Sequence, residues 1–329
     1  MKKINVAIIG LGVGEKHLVA YNKSKYLNRI SVIDFNKKKM KKIQKKNSNV
    51  FLLKRENDIY NDPKINLVSV ASHDHFHYSQ VIKSLKKKKN VFVEKPICTD
   101  QKQLKNIEKL VKKNRVHIES NFVLKTVSLF NSLKQKIKRN KKKIYFIEAD
   151  YLWGRYKKLL QWRKNSKNFS LILGGAIHMI DLVCWLLDDY PVEVSAYGNN
   201  IALNNTKFKK NSFYVIILRF KNDLYSKITV NSNSNTNHFH ELKVYSKDFT
   251  FYHSPIGTHT FNKKNVKNNI FGKYPEKENR NKIIHDFVEK ISKTNYKFNK
   301  HLFNVMKICF SAKKSVKNKS KVKILYDRY

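Results

Sequence analysis

The sequence predicts an α/β chain in two parts. A doubly wound parallel sheet occupies residues 1–122, and an α+β domain with a mainly antiparallel sheet occupies 123–329. Three observations lead there. A short apolar strand runs into a glycine-crowded turn and a helix at the start of the chain. Apolar strands then alternate with lysine-rich helices, and past residue 144 strands follow one another with turns between them. Alternation of strand and helix builds a parallel sheet with right-handed crossovers, whereas strands joined by turns pair antiparallel.

Taken in order, Val6 to Ile9 is an apolar, β-branched run ended by Gly10, which reads as a buried strand over 4–9. Gly10, Gly12 and Gly14 crowd the next turn, and 16–26 reads as a helix. Such a turn admits a phosphate, because glycine lets the backbone approach the ligand and the free N–H groups of the helix face the anion. The dinucleotide pattern G-x-G-x-x-G asks for its third glycine at position 15, where this chain has Glu15, so an ordinary tight turn stays open. Further strands are expected at 30–33, 50–53, 67–71, 91–93 and 116–119, with helices at 37–46, 76–87 and 101–113. The second part reads as strands at 144–152, 192–197, 213–220, 224–230, 241–245 and 249–252, with asparagine-rich loops at 199–211 and 231–240. Helices fit 175–188, 280–292 and 299–315, and a last strand fits 321–325.

The formal net charge of +45 raises nucleic acid or an anionic membrane as a partner. The lysines are nevertheless spread through nearly every segment, at Lys37–Lys39, Lys86–Lys89, Lys112–Lys113 and Lys141–Lys143, and read as solvated faces. Arginine is scarce, and Asn, Ile, Tyr and Phe abound beside lysine, so A/T-rich codons explain the excess without a dedicated nucleic-acid function. An attraction for anionic substrates survives. No apolar run approaches the ~20 residues of a membrane helix, and no cleavage pattern follows the first lysines. Cys98, Cys184 and Cys309 form no C-x-x-C pair. That usage points to a reducing compartment and a cytoplasmic location.

Ligands of a doubly wound sheet gather at the C-terminal ends of its strands. Asp34 ends the second strand, 20 positions after Gly14, where an acid accepts hydrogen bonds from adenosine ribose hydroxyls; a helix cap is the alternative. Ser72-His73-Asp74-His75-Phe76-His77 follows the strand 67–71. Its alternating histidines suggest a metal, but no carboxylate or cysteine cluster accompanies them, so capping and cleft lining are preferred and no metal is expected. Glu94-Lys95-Pro96 follows the strand 91–93 and delivers a lysine to the cleft. Such a lysine can stabilise a developing alkoxide, or it can be one more surface lysine. His178 and Asp181, three apart on one helical face, are either a functional or a structural pair.

These motifs, in this order and spacing, resemble the glucose–fructose oxidoreductase, inositol dehydrogenase and rhizopine-catabolism family (Gfo/Idh/MocA). The match runs from Gly10 through His17, Asp34, Ser72 to His77, Glu94-Lys95-Pro96 and Asn121 to Gly174-Gly175-Ala176-Ile177-His178-Met179-Ile180-Asp181-Leu182 and Cys184-Trp185-Leu186. The resemblance implies an N-terminal Rossmann domain binding NAD, with NADP disfavoured by Asp34. It implies a C-terminal domain with a large open sheet through which homo-dimers or homo-tetramers form. Cofactor contacts fall to Gly10, Gly12, Val13, Gly14, Asp34, Ser72, His75, His77, Glu94, Lys95 and Asn121. Lys95 and His178 inherit the catalytic roles. Trp153, Arg155, Trp162, Arg163 and Asp181 join them as substrate contacts, since rings stack on sugar faces and arginine forks onto phosphate or carboxylate; plain domain-interface packing is the alternative for the tryptophans and arginines. One departure stands out: family members commonly carry a carboxylate four residues before the histidine, and here that position is Gly174. The expected function is hydride transfer between nicotinamide and a carbinol carbon of a sugar, cyclitol or nucleotide-linked sugar. The alternative is a nucleotide-binding partner or sensor without turnover.

Overall fold

The computed structural model describes residues 3–272, 274–293 and 296–327. The first unit is a six-stranded parallel sheet. Its elements run β1 (Ile4–Ile9), α1 (Gly14–Asn22), β2 (Leu27–Ile33), α2 (Lys37–Lys46), β3 (Val50–Leu52), α3 (Asn57–Asn61), β4 (Leu67–Val70), α4 (Asp74–Lys86), β5 (Asn90–Val93), α5 (Gln101–Asn114) and β6 (Ile118–Ser120). The strand order is β3-β2-β1-β4-β5-β6. The order reverses direction between β1 and β4, which opens a crevice above their C-terminal ends. Asn36 caps α2 by accepting from the Lys39 N–H at 2.9 Å, and Asp100 caps α5 by accepting from Gln103 at 2.9 Å. α1 has no side-chain cap, so its first N–H groups stay available to a ligand.

The second unit opens with α6 (Ser128–Asn140) and β7 (Ile144–Leu152). A π-helical turn, Ile172–Ala176, then leads into α7 (Ile177–Leu187). The strands β8 (Glu193–Asn199), β9 (Phe213–Arg219), β10 (Tyr225–Asn231), β11 (Phe239–Ser246), β12 (Phe249–Ser254), β13 (Gly257–Asn262) and β14 (Lys267–Asn269) follow. They form a nine-stranded sheet in the order β14-β13-β12-β11-β7-β10-β9-β8, closed at that edge by a last short strand (Val322–Lys323). All pairs are antiparallel except β7 with β10. Side chains alternate across the sheet. Along β7, Ile147, Ala149 and Tyr151 are buried, while Glu148 and Asp150 are half-exposed on the other face. There Lys227 and Lys243 meet Glu148 at 2.9 and 3.3 Å.

The division at residue 122 needs one correction. The chain returns to the first unit through α8 (Lys282–Ser292), and Lys277–Phe303 clusters with the segment that ends at Val123. Ile284, Phe287, Val288 and Ile291 recur at helical spacing and bury themselves in the core made by Val6, Ile8, Leu18 and Phe92. α9 (Lys300–Asn318) then carries the chain on. A second correction concerns the lysine run 86–89. Lys86, Lys87 and Lys88 are exposed, but Lys89 is buried and donates to the Asp62 and Ile65 carbonyls at 2.7 Å each. No helix among the described residues is long and apolar enough to cross a membrane.

Candidate active site

The three glycines after β1 each do a different job. Gly10 has φ +86°, and a Cβ there would lie 2.8 Å from the Ala71 carbonyl oxygen and the Ser72 nitrogen, so only glycine makes the turn. A Cβ on Gly14 would lie 2.9 Å from Ile8 Cγ2, so its absence lets α1 pack on the sheet. A Cβ on Gly12 would meet nothing within 4 Å, which leaves the backbone open to a ligand. Tight turn, open approach and close helix packing are the three requirements of a dinucleotide loop. Here they are met with the third glycine one residue early, and Glu15 points to solvent, 3.4 Å from Lys39. The residues present fit a dinucleotide pyrophosphate.

A cavity of about 460 Å³ lies beside this turn, lined by Gly10, Gly12, Asp34, Phe35, Lys37, Lys39, Lys54, Arg55, Ser72 and His73 among others. Asp34 is held in place. Its Oδ2 accepts from the Leu11 N–H at 2.6 Å and its Oδ1 from the Asn36 N–H at 2.8 Å. Ser72 donates to Gln80 at 2.7 Å. Val13 is half-exposed at the start of α1, and His75 is exposed against Phe76 at 4.0 Å. His77 points the other way. It is fully buried, with Nδ1 2.7 Å from the Pro96 carbonyl and Nε2 3.1 Å from the Ser72 carbonyl. It therefore ties the end of β4 to the turn after β5, and reaches a ligand only through the backbone it holds.

That turn is Glu94-Lys95-Pro96, with a cis peptide between Lys95 and Pro96. Glu94 Oε1 accepts from His17 Nε2 at 3.1 Å and from Asn121 Nδ2 at 2.7 Å. His17 Nδ1 lies 3.0 Å from Ser69 Oγ. The imidazole thus bridges the Glu94 carboxylate through Nε2 and the Ser69 hydroxyl through Nδ1. Burial would push the Glu94 carboxyl up, but the bonds and charge of His17, then Asn121 and the nearby Lys95, bring it down to about 2. Glu94 is thus a fixed anion beside Lys95.

In the second unit, Gly175 lets the start of α7 press onto β7 and β10; a Cβ there would lie 2.7 Å from Val230 and 3.0 Å from Tyr151. This seats the His178 ring on Tyr151, with centroids 5.8 Å apart and 13° between planes. His238 and His240 stand edge-on to Tyr151 at 5.1 and 5.2 Å, and His240 Nδ1 lies 2.6 Å from Tyr274 Oη. Among the described residues no His, Cys, Asp and Glu group is set to hold a metal. Asp181 is buried one turn below His178 and pairs with Lys125 at 3.2 Å. The Arg163 guanidinium lies over the rings of Trp162 at 4.3 Å and Trp153 at 5.8 Å, while Arg155 is exposed.

The sequence pattern for the Gfo/Idh/MocA oxidoreductase family's NAD-binding Rossmann fold matches residues 4–122, and that for its C-terminal α/β domain matches 134–315. The chain belongs to this family. An uncharacterized oxidoreductase of Streptococcus pneumoniae is 24% identical over 153 residues, 46% of this chain and 42% of that protein. The Escherichia coli 2,7-anhydro-N-acetylneuraminate hydratase is 27% identical over 152 residues, 44% of this chain and 39% of that protein. The matched stretch thus spans less than half the length of either relative. Among solved structures, myo-inositol 2-dehydrogenase from Lactobacillus plantarum superposes with a TM-score of 0.84 at 17% identity, covering 98% of this chain and 100% of that one. A levoglucosan dehydrogenase complexed with NADH gives 0.86 at 16% identity, covering 99% and 100%. At those identities the likeness is one of fold, and it extends over the whole family architecture of parallel sheet followed by mainly antiparallel sheet.

Four residues with places in these constellations were not singled out in the sequence: Lys125, His238, His240 and Tyr274. His240 carries a readable signal, since it falls on the buried phase of a strand where a polar side chain needs a partner. Tyr274 and Lys125 carry none, because each meets its partner from far along the chain.

Proposed function

We propose that this chain is an NAD-dependent dehydrogenase acting on a carbinol carbon of a sugar, a cyclitol or a nucleotide-linked sugar. The observation that carries this reading is the placement of Lys95. It stands at the C-terminal edge of β5, on the same sheet edge as the open glycine turn, beside a carboxylate anchored by His17 and Asn121. Bound nicotinamide would accept or supply the hydride. Lys95 offers its ammonium to the substrate oxygen, where negative charge grows as its proton is taken in oxidation or as hydride arrives in reduction. His178 takes the hydroxyl proton in oxidation and returns it in reduction. Trp153, Trp162 and Arg163 supply a stacked aromatic and cationic surface of the kind that suits a sugar face.

NAD is preferred over NADP because Asp34, fixed by two backbone N–H groups, would face a 2′-phosphate with like charge. Lys37, Lys39, Lys54 and Arg55 line the same cavity and soften that preference. Fluorescence titration with NADH and NADPH tests it, and tighter NADPH binding would overturn it; Asp34→Ala should narrow the gap. Gly174 favours one rival, a nucleotide-binding protein without turnover. NADH binding with no absorbance change across a panel of polyols and nucleotide sugars would support that rival. The half-exposed face of the nine-stranded sheet, carrying Tyr145, Tyr245 and Tyr252, suits a homo-dimer or homo-tetramer. Light scattering after size-exclusion chromatography gives the mass that decides it.

A further inference from the structure

Position 15 is where the dinucleotide pattern asks for a glycine, and this chain carries a carboxylate there. Gly14 already provides the close packing of α1 on the sheet, so position 15 can hold a side chain. Glu15 pairs with Lys39 at 3.4 Å. Lys39 is rooted close to Asp34. Its N–H donates to Asn36 Oδ1 at 2.9 Å, and the Asn36 N–H donates to Asp34 Oδ1 at 2.8 Å. The backbone is thereby fixed, while the flexible four-carbon stem leaves the ammonium a choice of positions. Two cavities meet at this side chain. One is the cavity of about 460 Å³ beside the glycine turn, where Asp34 shares the wall with Lys37, Lys39, Lys54 and Arg55. The other, of about 420 Å³, is lined by Glu15 of α1 and by Lys38, Lys39, Lys42 and Lys46 of α2.

We propose that Glu15 makes the cavity selective for NAD by holding Lys39 away from the place a 2′-phosphate would take. The proposal rests on the reading of this cavity as the cofactor's site, and it names a residue that sets the choice. Asp34 repels a 2′-phosphate, but four lysine and arginine side chains on the same wall would offset one carboxylate. Selectivity then depends on which of those cations can turn to the phosphate. Two of the four are engaged by acids, Lys39 by Glu15 at 3.4 Å and Arg55 by Asp58 at 3.2 Å. Without the charge on Glu15, the Lys39 ammonium can swing from the second cavity into the first and meet the phosphate as a point charge. The Lys39 and Glu15 side chains are 34% and 52% exposed, so the hold is a modest bias. Glu15 is a positioning residue that acts through Lys39.

Fluorescence titration of the full chain with NADH and with NADPH gives two dissociation constants, and their ratio is the readout. Glu15→Gln keeps the shape of the side chain and removes its charge. It is expected to tighten NADPH about three- to tenfold while NADH stays within about twofold. Both cofactors carry the same pyrophosphate, so a general effect of charge at the start of α1 cancels in the ratio. Lys39→Gln alone should leave the ratio within about twofold, and joined to Glu15→Gln it should abolish the gain. A merely structural role for Glu15 would move both constants together. Equal tightening of both cofactors, an unchanged ratio, or a gain that survives the loss of Lys39 would each overturn the proposal. When the wild type binds NADH and the ratio does not move, only the role of Glu15 falls. A wild type that binds neither cofactor overturns the proposal and the cofactor reading together.

Discussion

Replacing Lys95 by methionine keeps the length of the side chain and removes its charge. The expected result is a kcat lower by about two orders of magnitude, with NADH affinity and melting temperature close to wild type. Gly10, Gly12 and Asp34 are untouched by that change, so parallel loss of NADH binding would mean the lysine holds the fold instead. Glu94 makes a different claim, about acid. Its carboxyl sits near 2 in the folded chain against 4.5 for the ordinary group, and its side chain is 14% exposed. The stability it contributes is present in full above about pH 4.5 and is lost as pH falls toward 2. The whole step is worth roughly 3 kcal/mol. Urea melts of wild type and Glu94→Gln at pH 7 and pH 3 should show a steeper acid loss in wild type. At this scale the sequence displayed Gly10, Gly12, Gly14, Asp34 and Lys95 because each belongs to one short strand-to-turn stretch. It did not display that His77 turns inward, or that His17 grips Glu94, because both outcomes are set by carbonyls and carboxylates many residues away.

At the scale of elements, α8 is the piece to disturb. Phe287 is buried against the Phe92 ring at 5.8 Å, in the core beneath the glycine turn. Phe287→Ala should destabilise the first unit by about 3–5 kcal/mol, read from denaturant unfolding, and should weaken NADH binding with it. An unchanged first unit would mean that α8 only rests on it. Periodicity announced α8 but not its address, because its apolar face suits either unit. α6 shows the opposite failing: the sequence expectation places no helix there, although Phe130, Leu133 and Ile137 stand at helical spacing. β14 offered nothing to read, since all three residues are exposed and it is held by backbone pairing alone. The parallel pairing of β7 with β10 was equally hidden, because strand direction depends on where α7 returns the chain.

At the scale of the whole molecule, charge is the property most open to test. Changing Lys86, Lys87 and Lys88 to glutamine alters exposed side chains and should move stability by no more than about 0.5 kcal/mol. Lys89→Gln strips two carbonyls of a buried cationic donor and should cost about 1.5–3 kcal/mol, although it stands next in the same run. Thermal melts of the triple and single variants compare the two directly. A nucleic-acid affinity that collapses in the triple variant would overturn the view of these lysines as solvated surface.

The return of α8 also sets an order of events on the ribosome. The last strand of the parallel sheet, β6, ends at Ser120, but the helix that covers its core begins at Lys282. At roughly 5–20 residues per second, translation leaves an interval on the order of ten to thirty seconds between them. During that interval the nascent sheet carries an uncovered apolar patch around Ile8, Leu18 and Phe92, while the strands from β7 to β14 emerge in sequence. The nucleotide-binding half therefore waits, exposed to chaperones and to aggregation, for a helix made long after its own last strand.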